Sequence, residues 1–136
     1  MYLFDASSIV NLVKKGIIKV FAHGVTIDLA LYESINAIWK EYKLLKKIDE
    51  NTAQKFIDIL SSIFNVIDVL SIKGLEKEIF NIASKENITI YDASYLYIAM
   101  KNRYTLITDD HKLRNKALKY IKVMSSNELI TTLHTL

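Results

Sequence analysis

The stretch Tyr2-Leu3-Phe4-Asp5-Ala6-Ser7-Ser8-Ile9-Val10 decides the fold. Apolar residues of strand type run directly into a carboxylate, a small residue and a serine, and then into apolar residues at helical spacing. A buried strand that passes without a linker into a helix is the opening of a β-α unit. Asp and Ser suit such a junction because their side-chain oxygens accept from the unpaired N–H groups of a first helical turn. The tripeptide returns at Asp92-Ala93-Ser94, again after an aromatic residue and before an apolar run. A third acidic junction, Thr108-Asp109-Asp110, follows Leu106-Ile107. Acids at strand–helix junctions can meet in space although they lie far apart in the chain.

Outward from this stretch the alternation continues. A helix is expected from Ser7 to Lys14, stopped by Lys15-Gly16, and a strand at Val25-Thr26-Ile27 after the His23-Gly24 turn. Ile17–Phe21 suits a short helix or a strand equally. Leu31, Ile35, Ile38, Tyr42 and Leu45 recur at helical spacing and predict one long amphipathic helix from Ala30 to Lys47. Asn51 and Gln54 resemble the capping pair of a further helix through Phe56, Ile59, Leu60 and Ile63. A strand at Val66–Leu70 and a helix at Leu75–Lys85 follow. Then come a helix from Asp92 to Asn102, a strand at Thr105–Ile107 and a short helix through Leu113 to Leu118. A strand at Ile121–Met124 and a last helix, opened by the capping box Ser125-x-x-Glu128, complete the pattern. Such alternation predicts an α/β fold, a single three-layer domain over residues 1–136 with a mainly parallel central sheet flanked by helices. In such sheets ligands gather beyond the carboxyl ends of the strands, where Asp5 and Asp109-Asp110 fall.

Composition bounds the function. A chain of 136 residues that is 51% hydrophobic is ample for one core, and with no Pro and 3 Gly it offers no linker to a second. The absence of Cys excludes disulfides and thiolate metal sites and suits a cytoplasmic chain. No apolar run approaches the roughly 18 residues of a membrane span, so no membrane partner is expected. A formal charge of +3 permits a polyanionic partner without demanding one.

The acids have two readings. Helix capping accounts for Asp5, Asp92 and Asp110 taken singly. Against it, Asp5 directly follows a buried apolar run, where a lone carboxylate is costly. Glu33 lies within the first turns of the long helix, beside Asn36 on the edge of its apolar stripe. Were Asp5, Glu33, Asp92 and Asp110 to converge, their repulsion would call for a cation. An all-oxygen site selects Mg²⁺ or Mn²⁺ over zinc, and its natural substrate is a phosphodiester. His23, His111 and His134 are scattered and suggest no acid/base constellation. Lys112, Arg114 and Lys116, with Lys101, Arg103, Lys119 and Lys122 nearby, read as a solvated face or as a phosphate-tracking rim beside such a site. Trp39, Tyr95 and Tyr97 suit the core at helical spacing, or base stacking.

At these residues the sequence resembles a PIN domain, and most closely the VapC-type ribonuclease toxins. The resemblance runs in order through Asp5-Ala6-Ser7, Glu33 with Asn36, Tyr91-Asp92-Ala93-Ser94-Tyr95, and Thr108-Asp109-Asp110-His111-Lys112-Leu113. It implies a metal-dependent endoribonuclease with Asp5, Glu33, Asp92 and Asp110 as Mg²⁺ or Mn²⁺ ligands. Ser7, Asn36, Thr108 and Asp109 would be supporting groups, with Asp109 capping the following helix or holding a water. It also implies an RNA substrate, a homodimer and a cognate antitoxin, VapB-like or other, that blocks the site. Phosphoryl-transfer domains of the receiver or haloacid-phosphatase kind fit less well, because the acidic pair comes late and Asp5-Ala6-Ser7 lacks a second acid. The alternative of another class is a catalytically weak or inactive module that keeps the fold and binds RNA or a protein.

Overall fold

The computed structural model describes residues 1–134. Five short strands, β1 (Tyr2–Phe4), β2 (Gly24–Ile27), β3 (Asp68–Leu70), β4 (Thr105–Ile107) and β5 (Val123–Met124), form one sheet in the order β3-β2-β1-β4-β5. Every pairing is parallel, with Leu3 level with Val25 on one side and with Leu106 on the other. The inner strands β1, β2 and β4 are mostly apolar and buried because helices cover the sheet on both faces there, whereas the edge strand β3 exposes Asp68 and Val69. Leu3, Phe4, Ile27, Leu106 and Ile107 are wholly shielded from solvent.

Among the described residues six α-helices lie between the strands, α1 (Ala6–Lys14), α2 (Leu29–Trp39), α3 (Glu50–Val66), α4 (Glu76–Glu86), α5 (Ile90–Asn102) and α6 (His111–Ala117), and α7 (Ser126–His134) follows β5. They pack in two groups, α1 with α2, α3 and α7, and α5 with α4 and α6. Ile9, Leu12, Ile38, Leu60 and Ile63 carry the first group's share of the core, and Ile79, Ala93, Leu96 and Leu113 that of the second. No helix among the described residues is long and apolar enough to cross a membrane.

The ambiguous Ile17–Phe21 segment becomes a 3₁₀ turn at Lys19–His23 that buries Phe21 against Phe4, ring centroids 4.8 Å apart. Three other expectations are corrected. The long helix ends as an α-helix at Trp39 and widens into a π turn at Lys40–Leu44, where the Leu45 N–H reaches the Lys40 carbonyl at 2.9 Å. Its buried face is Ala30, Ser34 and Ile38, whereas Ile35, Leu45 and Trp39 are exposed. Helix α3 is capped by Asp49, which accepts from Thr52 N at 2.7 Å, so Asn51 and Gln54 lie inside the helix. Helix α5 starts before Asp92: Thr89 is its cap and accepts from the Asp92 N–H at 3.1 Å. The Ser125–Glu128 box at α7 forms as expected, with reciprocal bonds of 3.0 and 3.1 Å.

Candidate functional site

Strand order reverses between β1 and β4, because the chain first builds outward through β2 and β3 and then returns to the other side. The carboxyl ends of two neighbouring strands there diverge into separate helices and leave a crevice. Asp5 ends β1 and caps α1, its Oδ1 accepting from Ser8 N at 2.9 Å. Asp110 follows β4 and caps α6, accepting from Leu113 N at 2.9 Å. Both acids therefore cap helices and flank the crevice; the two readings are compatible.

Asp5 is buried among hydrogen-bond donors. Ser7 Oγ donates to its Oδ1 at 2.8 Å, and Thr108 Oγ1 donates a short bond to Oδ2. The Asp109 N–H in turn donates to Ser7 Oγ at 2.9 Å, so both chain segments share one hydrogen-bond network. Ser8 fastens the junction from behind by donating to Ile107 O at 2.8 Å, and Thr26 does so by donating to Phe4 O at 2.7 Å. Burial pushes the Asp5 carboxyl up to about 6, against the bonds from Thr108, Ser8 and Ser7 that favour its charged form.

The other acids approach from helices. Asp92 lies in the first turn of α5, and its carboxyl is raised by burial, then by the charges of Asp110 and Glu33, with Lys112 opposing. Glu33 of α2 accepts a 2.7 Å bond from Tyr95 Oη of α5, which joins the two helical groups over the edge of the sheet. Burial first, and then Glu33 and Asp5, hold the Tyr95 phenol far above its ordinary range, so it stays a donor. Ser94, the apparent counterpart of Ser7, bonds back to Ile90 O within its own helix and takes no part.

Asp109 has a different task from the one expected. It accepts from Asn11 Nδ2 at 2.8 Å, from Ser126 N at 2.8 Å and from Ser126 Oγ at 2.6 Å. It thus joins α1 to the start of α7 rather than capping α6. The basic cluster also divides. Lys112 acts on Asp92, whereas Arg114 pairs with Glu128 at 2.6 Å. Lys116 belongs with Lys119 and Tyr120 around Glu86, whose carboxyl is held low chiefly by hydrogen bonds from Lys119 and Tyr120. Asn36 and Ser7 line a groove of about 520 Å³ between α1 and α2 that also receives Glu33.

The donor set fits a hard divalent cation in kind: oxygens only, from acids whose charges act on one another. In the side-chain positions observed it is not assembled, since among the described residues no three Asp, Glu, His or Cys side chains stand together as an ion's ligands would. Sequence reasoning missed Tyr95 as the partner of Glu33, Asn11 as the partner of Asp109, and Ser8. A buried Tyr at helical spacing carries no signal of its hydroxyl's partner. Tyr95→Phe removes the bond that orients Glu33 and keeps the packing. Were these acids to hold a divalent ion, the variant should bind Mn²⁺ about 10- to 100-fold more weakly, the usual loss when a group orienting a ligand is removed. Titration with Mn²⁺ checks this, and an unchanged affinity would remove Tyr95 from this role.

A parallel five-stranded sheet in the order β3-β2-β1-β4-β5, flanked by helices, is the three-layer α/β architecture of a PIN-like domain. Comparison with known proteins narrows this. No family model matches the chain. Over 93 residues it is 36% identical to Ribonuclease VapC3 of Pyrobaculum aerophilum, a match covering 67% of this chain and 69% of the relative. Over 97 residues it is 32% identical to Exonuclease VapC9 of the same organism, covering 71% and 69%. The crystal structure of PAE2754 from Pyrobaculum aerophilum superposes with a TM-score of 0.81 at 29% identity, over 99% of this chain and 97% of that one. VapBC2 from Rickettsia felis, bound to a DNA fragment from their promoter, shares the fold alone, with a TM-score of 0.58 at 15% identity over 91% and 97%. The chain belongs to the VapC family of PIN-domain proteins.

Proposed function

We propose that this protein is a metal-dependent endoribonuclease, the toxin of a toxin–antitoxin pair, holding Mg²⁺ or Mn²⁺ through Asp5, Glu33, Asp92 and Asp110. The observation that carries the reading is the placement of Asp92, a partly buried acid within reach of the charges of both Asp110 and Glu33, which add to burial in raising its carboxyl. Membership of a family whose relatives include a named ribonuclease and a named exonuclease supports it. A divalent ion at such a site makes a bound water a stronger nucleophile and draws charge from the scissile phosphate. The protein's own residues prepare that chemistry. Ser7 and Thr108 donate to Asp5 and fix its orientation. Tyr95 does the same for Glu33, and Lys112 lies where it offsets charge at Asp92. Asn36 and Asp109 act in support, one lining the groove and the other bracing α1 against α7. A homodimer and a VapB-like antitoxin belong to the same proposal.

The alternative, a catalytically weak or inactive module that binds RNA or a protein, draws on the unassembled state of the acids. One assay separates the readings. Purified protein is incubated with linear and circular single-stranded RNA in Mn²⁺ or Mg²⁺, with and without EDTA. Metal-dependent opening of the circle is expected and identifies endonucleolytic cleavage. Trimming of the linear RNA alone would make the activity exonucleolytic. Cleavage surviving EDTA or Asp92→Asn would sink the assigned site, and none under any condition would favour the inactive module.

A further inference from the structure

We infer that Lys14 is a substrate-phosphate contact in the groove between α1 and α2, and that Glu41 restrains its attraction for RNA. This rests on the ribonuclease reading above and names the direction in which the RNA strand leaves the acids. The groove opens at its inner end on Ser7, Glu33 and Asn36, and at its outer end on Lys14, Lys40 and Glu41. A strand whose scissile phosphate lies at the acids can continue along it without crossing the protein's bulk. The basic residues that the sequence suggested are dispersed instead, with Arg114 held by Glu128 and Lys116 beside Glu86.

Lys14 is fixed in place. It lies in the last turn of α1 and extends across the groove to Glu41 Oε1 at 2.5 Å, with about a third of its side chain exposed. An ammonium carries three N–H donors, so the Glu41 bond leaves donors for a phosphate oxygen. Glu41 is the unusual partner. It projects from the π turn that follows α2, and π turns are often found at functional positions. Its Oε2 is shut away from solvent and meets no donor among the described residues. A carboxylate with one oxygen idle and buried is poorly explained by stability. What it does is place a negative charge beside the cation that a phosphate would approach. RNA gains attraction from Lys14 and loses part of it to Glu41.

The test is polarisation of a fluorescent single-stranded RNA in Ca²⁺ buffer over a series of salt concentrations, with cleavage followed separately in Mn²⁺. Lys14→Gln should weaken binding roughly tenfold at low salt and reduce the slope of log K against log salt by about 0.7, the loss of one phosphate contact on a single strand. Lys14→Arg should retain both. Glu41→Gln should bind several-fold tighter on the order expected for removing one nearby charge, and the double variant should behave like Lys14→Gln. Unchanged binding in Lys14→Gln, or none of the tightening in Glu41→Gln, overturns the inference. So does a loss confined to Lys112→Gln and Arg114→Gln, which would place the strand over α6. Lys14-dependent binding without any cleavage in Mn²⁺ would instead overturn the ribonuclease reading and leave the groove assignment standing.

Discussion

In the proposed nuclease Asp5→Asn should cut metal-dependent cleavage roughly a thousandfold and at the same time stabilise the metal-free protein by up to about 3 kcal/mol at pH 7. The folded-state carboxyl is raised from 3.8 to about 6, so the folded chain holds this proton more tightly than the unfolded chain does. The stability from Asp5 is therefore complete below its unfolded value, declines as the pH rises through about 6 and is absent at neutrality. Asn reproduces the neutral acid. Its carbonyl oxygen can still accept from Ser8 N, and Thr108 need only turn its hydroxyl from donor to acceptor. What Asn cannot supply is a charged oxygen for a cation, whose charge stabilisation is worth several kcal/mol, or roughly a thousandfold in rate. Urea denaturation in EDTA at pH 5 and pH 7 checks the stability, with RNA cleavage assayed in parallel. The wild-type protein should be more stable at the lower pH, and the mutant should lose most of that difference. A mutant less stable than wild type at pH 7 would mean that the surrounding hydroxyls already satisfy the charge.

The second large effect lies beneath the site. A Cβ on Gly24 would overlap Phe4 Cε2 and come within 2.8 Å of Phe4 Cδ2. Gly24 opens β2 with an ordinary negative φ, so its requirement is space rather than backbone freedom. The Phe4 ring is wholly buried, tilted against Phe21 and edge-on to Tyr2. Gly24→Ala must displace β1 from β2 or force the ring off its rotamer, at a cost of about 3 kcal/mol. Because Asp5 follows Phe4 directly, activity should fall along with stability. A melting temperature within about two degrees of wild type would refute the clash, since 1 kcal/mol moves it by several degrees in a domain of this size. Phe4→Leu in the Gly24→Ala background should recover part of the loss.

How legible this was follows from which interactions are local. The Phe4-Asp5-Ala6-Ser7 junction was readable because strand, cap and first turn are consecutive in sequence. Helix α2 was misphased because Leu31 and Ile35 compose as good an apolar stripe as Ala30, Ser34 and Ile38, and small residues mark a close-packed face only faintly. The π turn then breaks the period that had joined Tyr42 and Leu45 to that stripe. Asp92 looked like a cap because its tripeptide repeats that of Asp5, yet Thr89 competes for the position and wins. The tasks of Asp109 and Tyr95 were out of reach, since their partners Ser126 and Glu33 are brought to them only by the fold.

The central position of β1 has a consequence for how the protein is made. Asp5 leaves the ribosome well before Thr108, its hydrogen-bond partner just past the neighbouring strand, which lies 103 positions later. Contacts of such long separation form late, after the intervening loop entropy has been met. A nascent chain that has displayed β1, β2 and β3 already carries Asp5, Glu33 and Ser7, but neither Asp92 nor Asp110. The acidic edge is therefore incomplete until Asp110 has been made, so the order of synthesis keeps these acids apart while the first three strands are already in place.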